Sequence, residues 1–204
     1  MFSMMHYEDV VAFHGHSCPG LALGYRVGLA ALKALGREQS AGDEEMVAIV
    51  ENDSCAVDAV QVLTGCTFGK GNLIFRDYGK QVFTFVKRPL GEAVRISIDF
   101  VPPEETERER EMWKKYSRGD RSEEVVRAVH DRKARKTKAI LEAPEAALVK
   151  IARVTVPLPR EASIYQSLTC GMCGEKVAEP KARMKDGRIV CIPCFETDSK
   201  RKEQ

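Results

Sequence analysis

The fold is decided by residues 46–63, MVAIVENDSCAVDAVQVL. The first five residues are apolar and mostly β-branched, which predicts a short buried strand. The next residues favour a sharp turn, namely Asn52, Asp53 and Ser54. Residues 56–63 are then predicted to form a helix. The segment therefore predicts one strand-turn-helix unit.

Two helices are predicted before this unit. The first covers Tyr7 to Phe13, and the second opens at Pro19 and ends at Gly36. Glycines and alanines on the second helix imply that it packs closely against a neighbour. Its residues at core-facing helical spacing are Leu21, Gly24, Val27, Gly28, Ala31, Leu32 and Leu35.

Four further strands are predicted after the unit. Residues 73–76, 81–87 and 93–100 alternate or run apolar with turn signals between them, and their order predicts an antiparallel meander. Residues 149–156 form the last predicted strand of the core. The core is therefore expected to be α+β.

A charged segment at about 103–142 separates the last two strands. Asp120 or Ser122 can cap a helix that runs to Leu141, about 30 Å at about 1.5 Å per residue. Its apolar stripe is narrow, so we predict an arm or a dimer-crossing helix rather than a core element. The stripe consists of Val125, Val126, Val129, Ile140 and Leu141.

Composition bounds the class of protein. The chain has 204 residues, 44% apolar and 30% charged, so we expect a packed core. A net charge of +2 gives no reason to expect a polyanion partner. Neither a signal peptide nor a run of about 20 apolar residues is present, so the expected location is cytoplasmic, without a membrane span. We place a core domain at 1–159 and a small appendage at 160–204.

Four of the seven cysteines form the most specific motif. Cys170 and Cys173 make one Cys-x-x-Cys pair, Cys191 and Cys194 make a second, and 17 residues separate them. This spacing, with a hairpin signal at Asp186-Gly187, predicts a zinc ribbon. Structural zinc is favoured over catalytic zinc because four sulfurs leave no open coordination position, and a redox dithiol pair is the remaining option. The whole fold is then an α+β core with a mixed or antiparallel sheet, packed helices, a long helical arm and a small C-terminal zinc ribbon.

A basic run covers Arg132 to Lys138, with five cations in seven residues. Together with the ribbon it leaves a nucleic-acid contact open. A solvated helical face is favoured, because aromatic residues do not interleave with these cations in a way that would stack bases.

Residues 13–20, FHGHSCPG, concentrate two histidines and a cysteine before the second helix. Pro19 places Cys18 at the helix N-terminus, where free amides and the macrodipole stabilise a thiolate. Cys18 is therefore a candidate nucleophile or metal ligand, and His16 is a candidate base or second ligand.

Two later turns add to this constellation. Cys55 follows the turn of the strand-turn-helix unit, and residues 64–72, TGCTFGKGN, carry Cys66, Lys70 and Asn72. The latter segment is not a P-loop, because its spacing is short and a glycine replaces the Ser or Thr that binds magnesium. We expect these turns to converge at one end of the fold.

Taken in order, these motifs resemble the FmdE-like family of formylmethanofuran dehydrogenase subunits. The motifs are HGHSCPG at 14–20, ENDSC at 51–55, TGCTFGKGNL at 64–73 and RDYGK at 76–80. The resemblance covers about residues 5–157, and the ribbon is similar to a zinc-finger extension of some members. It implies an α+β core, intertwined homodimers and an association with molybdenum or tungsten formylmethanofuran dehydrogenases of one-carbon metabolism.

The resemblance also implies a set of site residues with the chemistry of a soft metal or thiol site. We expect His16, Cys18 and Cys55 to share one cleft as ligands of a second transition metal, with Cys66 and Lys70 nearby. Asp53 is expected to orient a ligand histidine, and Lys70 and Asn72 to hold an anion or ligand. The motif positions are His14, His16, Cys18, Asp53, Cys55, Cys66, Lys70 and Asn72.

The leading hypothesis is a metal-binding accessory or stand-alone FmdE relative. The chain has neither the length nor the cysteine runs for a pterin cofactor and iron–sulfur clusters. One alternative is a cysteine- or metal-dependent enzyme that acts on a small anionic substrate. The other is a zinc-ribbon regulator that binds nucleic acid.

Overall fold

The structure is a computed structural model that describes residues 5–37, 45–89, 91–161 and 163–197. The chain divides into two compact units, residues 1–161 and 162–204. Each unit has its own buried residues, with a large main cluster in the first unit and a small cluster in the second.

A five-stranded mixed sheet forms the centre of the first unit. The strands are β1 (Met46–Val50), β2 (Leu73–Phe75), β3 (Val82–Lys87), β4 (Glu92–Ile98) and β5 (Val149–Val154). They lie in the order β2-β1-β3-β4-β5, with β2 parallel to β1 and the other pairs antiparallel. The α+β prediction with a mixed sheet is thus confirmed.

The predicted meander is wrong at its first strand. β2 pairs with β1 rather than β3, with Ile49 opposite Ile74. The helix between β1 and β2, α3 (Ala56–Thr64), explains the difference. A crossover through a helix returns the chain parallel to the strand it left, so β1 lies between β2 and β3.

Two helices precede the sheet, α1 (Tyr7–His14) and α2 (Pro19–Ala34). The close packing predicted for α2 is confirmed where it meets α3. A Cβ added to Gly24 would lie 2.2 Å from the carbonyl oxygen of Ala56, and one on Gly28 would lie 2.6 Å from Leu63. Only glycine allows the two helices to approach this closely.

The charged segment forms α4 (Glu107–Ser117) and α5 (Glu123–Glu142), followed by the short α6 (Glu145–Leu148). The expectation that α5 does not dock on its own core is wrong. Its C-terminal half buries Thr137 and Ile140, and Ile140 belongs to the main core.

Arg26 on α2 fixes the end of α5. Its guanidinium donates to the carbonyl oxygens of Ile140 at 2.8 Å, Leu141 at 2.7 Å and Ala143 at 2.7 Å. The last carbonyls of a helix have no partner within the helix, so this cation satisfies them and also complements the helix dipole. Docking therefore depends on a polar cap that an apolar stripe does not reveal.

The second unit contains two small antiparallel hairpins, one 3₁₀ turn (Glu179–Lys181) and a short helix. The strands and the helix are β6 (Ser167–Thr169), β7 (Lys176–Ala178), β8 (Arg183–Lys185), β9 (Arg188–Val190) and α7 (Ile192–Glu196). The turn between β8 and β9 has φ of 47° at Asp186 and 73° at Gly187, which confirms the predicted hairpin. Within the described ranges of both units, every helix is too short or too polar to cross a bilayer.

Candidate metal centres

The ribbon site consists of Cys170, Cys173, Cys191 and Cys194. Their four sulfurs all lie within 4.8 Å of one another, and Cys173 Sγ is 3.8 Å from Cys191 Sγ. A tetrahedron with Zn–S bonds of about 2.3 Å has edges of about 3.8 Å. The residues therefore fit a four-coordinate zinc ion.

Backbone amides prepare the ribbon site for a cation. The N–H groups of Cys173, Cys191 and Met172 lower the pKa of Cys170 to about 6. Of these, the Cys191 N–H donates to the Cys170 sulfur at 3.3 Å. The sulfurs around Cys194, Cys191 first, raise the pKa of Cys194 to about 12. Four neighbouring thiolates repel one another, and a divalent cation removes that repulsion.

The core site is formed by His14, at the end of α1, and by His16 and Cys18 in the connection to α2. One ligand atom from each lies within 4.8 Å of the others, and Cys18 Sγ is 4.0 Å from His14 Nε2. Cys18 is buried, His14 is partly buried and His16 is exposed. Three ligands of mixed nitrogen and sulfur would leave one position open on a four-coordinate metal.

Local sequence explains how these ligands are presented. His14 ends α1, and Gly15 turns the chain with φ of 90°. Cys18 is the N-cap of α2, with Pro19 next, and its sulfur accepts the Leu21 N–H at 3.4 Å. The Cys18 sulfur therefore lies at the positive end of a helix.

Asp58 in the first turn of α3 holds the core site in position. Its Oδ2 lies 2.6 Å from His14 Nδ1. This bond directs the other ring nitrogen, Nε2, towards Cys18, an arrangement common among metal-binding histidines. Asp53, expected in this role, is exposed. Asp58 follows Cys55 by three residues on the same helical face, a spacing that could have revealed it.

Cys55 lies beside the core site. A Cβ added to Gly20 would lie 3.8 Å from the Cys55 sulfur and 4.0 Å from the Cys18 sulfur. The two sulfurs are therefore less than about 8 Å apart. Burial, and then the neighbouring Cys18, raise the pKa of Cys55. The cluster of three potential ligands therefore contains His14 in place of the expected Cys55.

Cys66 and Lys70 do not lie near this site, contrary to expectation. Cys66 follows the C-terminal end of α3, about 13 Å along the helix from Cys55, and is buried in the main core. Its thiol donates to the carbonyl of Met46 at 3.4 Å, and burial raises its pKa. The turns before and after one helix lie at its opposite ends, so they cannot converge.

Asn72 has a structural role in the same loop. Its side-chain oxygen accepts the Thr67 N–H at 2.8 Å, and its amide donates to the Met46 carbonyl at 3.1 Å. These bonds attach loop 67–72 to the start of β1. The expected use of Asn72 to bind an anion therefore has no support in the geometry.

His16 also lines a cleft of about 540 Å³, whose opposite wall is one face of α5. We call it the α5 cleft. It is lined there by His130, Lys133 and Thr137, none of which was identified from sequence as a site residue. These residues are spaced by three and then four positions along one helix, so the sequence could have shown that they share a face.

Both arginines of the basic run are already paired within the chain. Arg132 pairs with Glu105 and lies 4.7 Å from the ring centroid of Trp113. Arg135 contacts Glu109 at 2.7 Å. These contacts favour the interpretation of the run as a solvated helical face, and they disfavour a surface that binds nucleic acid.

With fold and sites described, comparison with known proteins identifies the class. Residues 13–150 match the family described as "FmdE, Molybdenum formylmethanofuran dehydrogenase operon", and the chain belongs to this family. Residues 163–200 match the "Prokaryotic dksA/traR C4-type zinc finger". The resemblance seen in the sequence motifs is confirmed for both units.

Two relatives are informative. A solved "tungsten formylmethanofuran dehydrogenase subunit e (fmde)-like protein" from Syntrophus aciditrophicus is 27% identical to this chain with a TM-score of 0.59. The match covers 93% of this chain and 91% of that one. A "Probable S-adenosyl-L-methionine-binding protein" from Archaeoglobus fulgidus is 35% identical over 188 residues, 89% of this chain. This chain spans 50% of that relative's length. It is an FmdE relative with metal-binding groups.

Proposed function

We propose that this protein is a metal-binding accessory or stand-alone FmdE relative of one-carbon redox metabolism. In this proposal His14, His16 and Cys18 hold a transition metal, and the ribbon site holds structural zinc. The observation that carries it is the 2.6 Å contact between Asp58 and His14, beside the His14–Cys18 approach of 4.0 Å. A carboxylate that orients one histidine nitrogen leaves the other free to bind a metal.

The donor set limits the metal. Imidazole and thiolate together suit zinc, nickel, copper or iron rather than magnesium or calcium. Three protein ligands leave a position for a small exogenous ligand, and the α5 cleft reaches His16 from solvent. The core site would thus bind a ligand at its metal, whereas the ribbon site would not.

Metal content per chain, on protein purified without chelator, tests this proposal. Wild type should carry two metals, and Cys18→Ser should carry only the ribbon zinc. Serine is itself a good helix N-cap, so α2 should keep its start in this variant. The matched control is Cys173→Ser, which should retain the core metal. One metal in wild type, lost only in Cys173→Ser, would leave the core site without a metal role.

The partners follow from the family and remain part of the proposal. The family description names a molybdenum formylmethanofuran dehydrogenase operon, and the name of the solved relative includes the tungsten enzyme. These support such a complex as the physiological partner. S-adenosyl-L-methionine, named for the A. fulgidus relative, is a ligand to test on the metal-loaded protein.

A homodimer is the proposed oligomeric state. Closed two-fold dimers are the commonest homo-oligomers, and the family resemblance favours an intertwined one. Analytical ultracentrifugation at micromolar concentration should give twice the mass of the 22.8 kDa chain. A monomer under these conditions would overturn this part of the proposal.

One alternative function has a specific observation behind it. Asp58, His14 and Cys18 lie in series at 2.6 and 4.0 Å, an order that also suits a cysteine nucleophile activated by histidine. The two functions respond differently to alkylation. A metal at Cys18 should protect it from iodoacetamide until chelator is added, whereas a free nucleophile should react at once.

A further inference from the structure

The α5 cleft has the size and shape of a small-molecule site. Its volume of about 540 Å³ lies within the usual range for ligand pockets. One wall is a single face of α5, from His130 to Leu141, which extends about 16 Å at about 1.5 Å per residue. The facing wall is formed by Tyr7, His16 and Ser17. The cleft therefore suits an elongated molecule.

Thr137 lies in this cleft with an unused hydroxyl. The residue is only 6% exposed, and in the described part of the chain its hydroxyl has no hydrogen-bond partner. The hydroxyl oxygen itself is not fully buried, and the residue lines the cleft. This hydroxyl is therefore a donor available to a ligand.

The charge of the cleft favours an anion. Lys133 has no ion-pair partner among the described residues, unlike Arg132 and Arg135 on the same helix. Lys138 lies 3.8 Å from Glu142, so these two lining charges offset each other. One uncompensated cation therefore remains, one helical turn from the Thr137 hydroxyl.

We infer that the α5 cleft binds a small organic molecule through an oxyanion, a carboxylate or phosphate, held by Lys133 and Thr137. His130 lies one turn before Lys133 on the same face and contributes a further donor. His16 lines the same cleft, so the rest of the molecule is directed towards the core metal. The last point rests on the proposed function, whereas the oxyanion contacts on α5 do not.

Histidine signals offer a direct test, because the chain has four histidines. In the full-length protein labelled with ¹⁵N-histidine, inorganic phosphate or acetate is titrated at low salt. The imidazole signals of His130 and His16 should shift saturably, and the signal of His6, which does not line the cleft, should not. The anion that saturates first identifies phosphate or carboxylate as the class.

Variants on α5 define the contacts. Thr137→Val keeps the side-chain shape and should weaken binding about tenfold, as expected for a hydrogen bond to a charged group. Lys133→Gln should weaken it severalfold, less at high salt because this lysine is exposed. The matched control is Lys136→Gln, in the same basic run but outside the cleft lining, which should leave binding unchanged.

Two results would overturn the inference. One is no saturable shift of His130 with either anion, and the other is an equal loss in Lys136→Gln and Lys133→Gln. Repeating the titration on Cys18→Ser separates this inference from the proposed function. A saturable His130 shift in that variant establishes the oxyanion site without a core metal. Whether the core site holds a metal is decided separately, by the metal content per chain.

Discussion

The two cysteine sites of this protein are built in opposite ways. The ribbon site takes four sulfurs from two short turns within residues 170–194, and it is closed around its centre. The core site combines a loop at 14–18 with Asp58 from α3, uses mixed donors, and borders a cleft. The first depends on local spacing and suits a structural metal. The second depends on how helices pack, and it leaves room for a ligand.

Removal of the ribbon metal should have the largest effect on stability, because the two sites differ most in how much the fold depends on them. Among residues 163–197, the cluster of the second unit has three buried members, Cys170, Val190 and Cys191, with Val177 and Cys194 packed against them. This is too little to fold the unit alone. Structural zinc supplies about 10–16 kcal/mol in comparable peptides. Cys170→Ser should therefore unfold residues 163–197, measured as rapid proteolysis in that segment.

The first unit is the internal control, since its cooperative unfolding transition should not change. Undiminished protease resistance of the second unit without metal would show that its fold does not depend on zinc. The contrast between a structural and a ligand-binding site would then be lost.

Crowding the helix contact beneath the core site should have the next largest effect. A Cβ at Gly24 would lie 2.2 Å from a backbone oxygen of α3, which cannot move as a flexible side chain can. Gly24→Ala should lower the free energy of unfolding of the first unit by about 3 kcal/mol. It should also weaken core metal binding, because α3 carries Asp58. Urea denaturation measures the first effect.

The matched variant is Gly69→Ala, where an added Cβ would meet nothing within 4 Å. Its effect should be less than about 0.5 kcal/mol. Ribbon zinc should be retained in both variants. Equal stability of the two variants would contradict the packing account of the core site.

The parts that were predictable from sequence depend on neighbours along the chain. The Cys-x-x-Cys spacing predicted the ribbon cluster, Asp186-Gly187 predicted its hairpin, and Pro19 predicted the start of α2 with Cys18 as N-cap. In each case the physical cause is a turn or cap of a few residues. Such causes are complete within the sequence segment itself.

The parts that were missed depend on contacts between distant segments. The parallel pairing of β2 with β1 requires knowing where the chain returns after α3. The docking of α5 requires the Arg26 cap, more than 100 residues away. Asp58 contacts His14 across 44 residues, and the packing of α1 against α3 brings the two side chains together.

Substitution of Asp58 should have a moderate effect that is confined to the core site. Asp58→Asn keeps the shape but weakens the acceptor that orients His14. Core metal affinity should fall about 10–100-fold, as for other residues that support a metal-bound histidine. Competition with a chromophoric chelator measures it. Asp53→Asn, at an exposed carboxylate, is the control and should leave both metals unchanged. An equal loss in the two variants would remove Asp58 from the site.

Substitution of Cys55 should have the smallest effect and decides the ligand set. Its sulfur lies near Cys18, but it is outside the cluster of His14, His16 and Cys18 whose ligand atoms lie within 4.8 Å of one another. Cys55→Ser should therefore weaken core metal binding less than about tenfold, because it removes a neighbour rather than a ligand. A Co²⁺-loaded sample provides the measurement, since the thiolate charge-transfer band should persist in Cys55→Ser and vanish in Cys18→Ser. Loss of the metal in Cys55→Ser would make the core site a two-sulfur centre that joins α2 to α3, closer in character to the ribbon.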